Sequence, residues 1–303
     1  MGFPGADLAQ RKSALDKLPI WIEDGSALQK FPNQHVFRDK SGNIVVVYKP
    51  ESDQSGSQAP RVIRYPLPNR VAPAISTIFQ MGDNNLVKYQ YRVTNQTGAE
   101  QPITAWYLIG PSKNAVVRSD SGGWSAGATK TTFGVQVALP YLANGSYLSW
   151  MVRQQGITPG SAEGGFEIWS PYLPGITTAH VRGAGTFRVP DELPLDVSDQ
   201  LAPIDNLAVS SFITIAVGPR FDPGASRNEI VSGFRQDLVF LSEHSPQALG
   251  DAEGAKQLTA VIDKCLSTDR GPCSIAQPQG RGVLSDIARA IQFDLEKPNQ
   301  GSR

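Results

Sequence analysis

Val87-Lys-Tyr-Gln-Tyr-Arg-Val-Thr94 puts Val, Tyr, Tyr and Val on alternate positions, with Lys, Gln, Arg and Thr between them. A two-residue period is that of a strand with one face in a core and the other in water. Asn95-Gln-Thr-Gly-Ala-Glu100 follows as a turn, and Pro102 to Ile109 as a second apolar strand. The pair predicts an antiparallel β-protein rather than an α/β enzyme.

The same reading predicts strands at 61–65, 75–80, 86–94, 103–109, 115–118, 131–139, 147–153, 166–169, 176–182 and 186–189. In the sixth, Phe133, Val135, Val137 and Leu139 share one face. Gly82-Asp-Asn-Asn85, Asn144-Gly145, Pro159-Gly160 and Pro174-Gly175 supply residues that accept the backbone angles of tight turns. Upstream, 6–18 reads as a short helix stopped by Pro19, and 36–49 as a hairpin with Asp39-Lys-Ser-Gly42 at its turn. Residues 51–58 are a polar linker, and 191–205 an acidic, aperiodic boundary. One more strand is expected within 207–217, from Val209, Phe212, Ile213 and Ile215.

After Pro223 the period changes to that of a helix. Ile230, Phe234, Leu238 and Leu241 form a stripe behind a Ser226 N-cap with Glu229 three residues on. Leu258, Val261, Ile262 and Cys265 form a second stripe, and Leu284, Ile287, Ala288, Ile291 and Leu295 a third. The expected organisation is an N-terminal helix and hairpin (1–60), a β-sandwich (61–217) and a three-helix segment (218–303).

Composition narrows the partners. Lys plus Arg equals Asp plus Glu, 28 against 28, so there is no net field to draw nucleic acid or an anionic membrane. No segment approaches the 18 or so apolar residues that span a bilayer. Cys265 and Cys273 lack CxxC spacing and read as a disulfide, worth about 2.5 kcal/mol for so short a ring. Such a bridge implies an oxidising compartment. Met1-Gly-Phe-Pro-Gly has neither the basic nor the apolar region of a signal peptide, so a secreted, periplasmic or cell-surface location requires a removed leader.

Candidate chemistry is sparse. Ser119-Asp-Ser-Gly-Gly123 is similar to the nucleophile run of chymotrypsin-like proteases, but Trp124 stands where that family has proline, and only His35 lies upstream. The expectation is a glycine-rich turn. His35, His180 and His244 lack ligand-spaced companions, and no phosphate loop occurs, so no metal or cofactor is expected. Asp120, Glu163 and Glu167 are the carboxylates considered for glycoside hydrolysis, with Glu167 read as the outward residue of an alternating strand. A calcium reading of Gly82–Asn85 lacks the ligand count of an EF-hand.

The aromatics Trp106, Tyr107, Trp124, Trp150, Trp169 and Tyr172 are the richer set. Trp106 and Trp150 lie in apolar strands and read as core. Trp124, Trp169 and Tyr172, surrounded by Gly and Pro, are the candidates for a sugar-binding surface. Asn95-Gln-Thr97 and Asn144-Gly-Ser146 are N-glycosylation sequons.

The segments YQYRVTNQTGAEQPITAWYLI and GITPGSAEGGFEIWSPYLPGI resemble the immunoglobulin-like or fibronectin-type sandwiches of bacterial secreted and surface proteins, over roughly residues 61–217. The resemblance implies an immunoglobulin-like antiparallel β-sandwich with a helical tail and no site residues. The expected role is a non-catalytic extracellular or periplasmic module, structural or adhesive, whose partner is another protein or a surface polysaccharide. A carbohydrate-binding module is the alternative, and a hydrolase a further one.

The bridge is checked by thiol titration in denaturant. We expect no free thiol before reduction and two per chain after it; two before reduction refute the pairing.

Overall fold

The computed structural model describes residues 17–49, 60–66, 69–130, 139, 146–152, 155–183, 193–208, 211–267 and 282–296. They are mainly β, with 40% strand in three antiparallel sheets and about 31% helix in six helices. Two compact units result: Met1–Arg70 with Gly183–Ser211, and Val71–Arg182 with Phe212–Arg303. The divisions fall at 70/71, 182/183 and 211/212, where the sequence reading put them near 60 and 217.

The first unit is built on the expected hairpin. Strands β1 (Val36–Arg38), β2 (Ile44–Tyr48) and β3 (Arg61–Tyr65) run antiparallel in that order. Asp39 closes the β1–β2 turn, its carboxylate accepting from the Asn43 backbone at 2.8 Å and the Asn43 side chain at 2.9 Å. All five residues of β2 are buried because both faces of the sheet are covered. On one side Trp21, Phe37 and Ala27, the last from helix α1 (Ser26–Lys30), pack on Val45 and Val47. On the other, Val197 and Leu201 of helix α2 (Leu195–Ala208) pack with Val36, Ile44 and Val46.

Helix α2 occupies much of the segment expected to be aperiodic, and it contains Pro203. Its one clear apolar signal is the Val197–Leu201 spacing, a single helical turn. The expected strands at 131–139 and 186–189 and the helix at 6–18 fall wholly or mostly outside the described residues.

The second unit carries β4 (Pro73–Met81), β5 (Val87–Asn95), β6 (Ile103–Gly110), β7 (Val116–Ser119), β8 (Trp124–Lys130), β9 (Ser146–Val152), β10 (Ala162–Ser170), β11 (Leu173–Gly183) and β12 (Phe212–Phe221). Four form a sheet in the order β4-β5-β10-β7, and five form another in the order β12-β11-β6-β9-β8. Large rings join them. Trp106 on β6 stacks on Trp150 on β9 with centroids 4.1 Å apart. From the other sheet, Tyr91 on β5 and Phe166 on β10 meet Trp106 edge-on at 5.4 and 5.3 Å. Offset and edge-on contacts of this kind add to the burial of large apolar area.

The three expected helical stripes are helices. They are α3 (Arg227–His244), α5 (Ala252–Ser267) and α6 (Val283–Glu296), with the short α4 (Pro246–Leu249) between the first two. Ser226 and Glu229 close a full capping box at the start of α3. Cys265 lies near the end of α5, and Cys273 is outside the described residues.

Polar anchors fix these helices to the strands. Arg220 of β12 forks onto the carboxylate of Asp237 of α3, one contact being 3.0 Å. Burial pushes the carboxyl up and the guanidinium down, and the two-pronged contact gives each buried group its partner. On β4, the Thr77 amide donates to Asp286 of α6 at 2.8 Å. The Thr77 carbonyl accepts from Arg289 of α6 at 2.9 Å, and the Thr77 hydroxyl donates to the Val217 carbonyl of β12 at 3.1 Å.

Asp286→Ala strands the buried Thr77 amide and removes Arg289's acidic partner. The expected loss is about 2–4 kcal/mol in guanidinium unfolding, with Asp286→Asn, which keeps an acceptor, losing clearly less. An alanine variant within 1 kcal/mol of the parent protein would show that α6 does not hold this edge.

Candidate functional site

The alternation that buries Tyr89, Tyr91, Phe166 and Ile168 turns their neighbours outward. Register then sets the outer face of the four-stranded sheet in rows. Ile78, Gln90, Glu167 and Arg118 make one row, and Gln80, Lys88, Trp169 and Val116 the next. Ser76 and Arg92 begin a third. Ile78 is 59% exposed and Val116 43%; Ser76, Gln80, Gln90, Arg92 and Arg118 are exposed as well.

The centre of this face is internally wired. Lys88 reaches the Glu167 carboxylate at 2.7 Å, and the Gln90 amide donates to it at 2.9 Å. The same ammonium lies 5.0 Å from the centroid of the Trp169 ring. That ring also abuts Gly82, where a Cβ would sit 2.7 Å from its Cζ3 atom, so only glycine lets the indole lie there. Burial works to raise the Glu167 pKa, but hydrogen bonds from Lys88 and Gln90 and the charge of Lys88 outweigh it, leaving the carboxyl below its ordinary value.

The three aromatics expected to share a surface are placed separately. Trp124, on β8, is 9% exposed and meets Phe166 edge-on at 5.0 Å, a core position. Trp169 lies on the outer face of the four-stranded sheet. Tyr172, half-buried in the turn after β10, presents its carbonyl to the Tyr89 hydroxyl at 2.6 Å. Trp106 and Trp150 are core, as expected. Lys88, Gln90, Arg92 and Arg118 were not singled out from the sequence; the strand alternation that puts the first three on one face is the signal that finds them.

The other chemical candidates are held in structural roles. Ser121 donates to Glu163, a carboxylate rather than a histidine base. His35 has Nδ1 3.0 Å from the Val47 carbonyl and Nε2 3.0 Å from Asp196, leaving neither ring nitrogen open to a substrate. This histidine lines a shallow groove of about 440 Å³ with Leu28, Tyr48, Pro60 and Val197. His180 is buried, and His244 stacks on Phe240 with its centroid 4.3 Å away. Asn95, the first sequon residue, is fully buried, its amide donating to the carbonyls of Gln101 and Ile157 at 2.7 and 3.0 Å. It braces two loops and is closed to a glycan. Asn144 is outside the described residues. Among the described residues no group of three or more His, Cys, Asp or Glu side chains could hold a metal ion, and no helix is long and apolar enough to cross a membrane.

No family model matches the chain, and no curated protein matches it.

Lys88→Met leaves Glu167 nearly buried without its cation, an expected loss of about 1–3 kcal/mol at pH 7. Because the folded-state pKa of Glu167 is depressed, its contribution is present above the unfolded value of about 4.3 and fades as pH falls through the folded one. Urea unfolding of both proteins should therefore give a gap that narrows towards pH 3.5. A gap that stays constant with pH would mean that Lys88 acts through its packing on Trp169.

Proposed function

We propose that this chain is a non-catalytic interaction module acting outside the cytoplasm, secreted, periplasmic or at a cell surface. In this reading its two larger sheets form an immunoglobulin-like sandwich with a helical tail, and it binds through the outer face of the four-stranded sheet. The observation that carries the reading is that face: a hydrogen-bonded scaffold with side chains in fixed register, Ile78, Gln90, Arg92, Val116 and Arg118 exposed around the nearly buried Glu167. A rigid scaffold presents recognition groups at low conformational cost. The engagement of His35, Ser121 and Glu167 by neighbouring groups favours binding over turnover.

The test is retention of the purified protein on isolated envelope or matrix material of its source. A Gln90→Trp variant sets a bulky ring in the middle of the open face. We expect retention of the parent protein and at least a tenfold weaker retention of the variant at unchanged Tm. Equal retention of the two removes the sheet face as the binding surface.

A further inference from the structure

We propose that the outer face of the four-stranded sheet takes an anionic polysaccharide, its acidic groups paired with Arg92 and Arg118 while a sugar ring lies against the Trp169 edge of the face. The inference rests on the reading of that face as the binding surface, and it names the class of ligand.

Charge is the first argument. The whole chain is electrically balanced, yet the three rows carry Lys88, Arg92 and Arg118 against two acids, Glu167 and, beside Gly165, Asp120. Lys88 already neutralises Glu167 at 2.7 Å. Asp120 donates its amide to the Gly165 carbonyl at 2.8 Å just past β7 and is exposed, so the face keeps an excess of one positive charge. Arg92 and Arg118 are both exposed, and among the described residues neither guanidinium has an acidic partner. Among the described residues the face therefore keeps two guanidinium groups without an acid partner, on neighbouring rows. A guanidinium matches a carboxylate or sulfate with two parallel N–H donors.

The distribution of apolar groups separates a polysaccharide from a protein. Protein interfaces place an apolar core inside a polar rim. Here Ile78 and Val116 stand on the two outermost strands, and Gln90, Glu167 and Lys88 occupy the middle with the Trp169 ring beside them. An acidic protein would have to desolvate that polar centre with only the half-buried Trp169 ring as an apolar anchor. A sugar polymer fits it better, because the Gln80 and Gln90 amides both donate and accept as hydroxyl groups require. The half-buried indole of Trp169 adds the exposed part of one apolar ring, fixed by Gly82 and Lys88. Single-stranded nucleic acid would call for several stacking rings in series, and the rows hold one.

Affinity electrophoresis tests the assignment, with polygalacturonate as the carboxylate probe, heparin as the sulfate probe and dextran as the neutral one. The parent protein should be retarded by one or both anionic polymers and not by dextran, with retardation weakening as salt is raised. Arg92→Gln with Arg118→Gln should weaken it at least tenfold without changing Tm. Retardation by polygalacturonate alone assigns uronates, and by heparin alone sulfate esters. Equal retardation by dextran, or a double variant that binds as the parent does, overturns the anionic assignment. If Gln90→Trp still abolishes retention on envelope material while no polymer retards the parent, the face stands and the ligand class falls. Retention that ignores Gln90→Trp overturns both.

Discussion

Antiparallel sheets end in strands whose outward peptide groups have no partner, and such edges must be closed. In the second unit β4 and β12 are edges of different sheets, and both close at Thr77. Its amide and carbonyl, turned away from β5, meet Asp286 and Arg289, so α6 supplies an acceptor and a donor where another strand would have been. Its hydroxyl crosses to the Val217 carbonyl of β12. Thr77 is fully buried, and in a dry site satisfied hydrogen bonds are strong while an orphaned one is costly. One short side chain and the two backbone groups of one residue thus tie two sheets and a helix at fixed register. The helical tail is on this account a structural closure of the sheets and cannot be a loose appendage to them.

That coupling explains what the local pattern shows and what it hides. Strand β5 is legible because Val87, Tyr89, Tyr91 and Val93 are large, apolar and two apart; its observed and expected limits differ by a residue at each end. Helix α3 is legible because Ser226 and Glu229 are a local device that needs nothing distant. Strand β8 was missed because Ser125-Ala-Gly-Ala128 offers small residues with no apolar alternation; what makes it a strand is its ladder with β9. Helix α2 was missed for a similar reason. Val197 and Leu201 gain their meaning from Val36, Ile44 and Val46, more than 150 positions earlier. A window of ten or fifteen residues carries no record of such a partner.

The aromatic residues make the same point about the site. Gly and Pro near Trp124 suggested exposure, yet the ring is buried against Phe166, because flexible flanks say where a chain can bend and not which way a ring turns. For Trp169 the strand period was the better guide. Phe166 and Ile168 point inward, so Glu167 and Trp169 point outward. Glu167 is nonetheless only 7% exposed, because Lys88 and Gln90 reach across from β5 and cover it. Direction was readable from alternation, and burial was not, since it depends on a strand more than 70 residues away.

An open sheet face has to settle its own electrostatics before it can serve a ligand. A nearly buried carboxylate such as Glu167 would repel an anion and be costly alone; with Lys88 beside it the pair is neutral and locks the Trp169 ring as well. This removes one acid and one base from the count and leaves Arg92 and Arg118, with Asp120 beyond the end of β7, to define the field seen from solvent. Had Lys88 been left free instead, the same residues would present a more positive but softer surface, its ammonium mobile and its indole unfixed. Pairing the central charges therefore trades raw potential for order. If this face binds as proposed, order is the more valuable property, because each group already fixed is a group that binding does not have to immobilise.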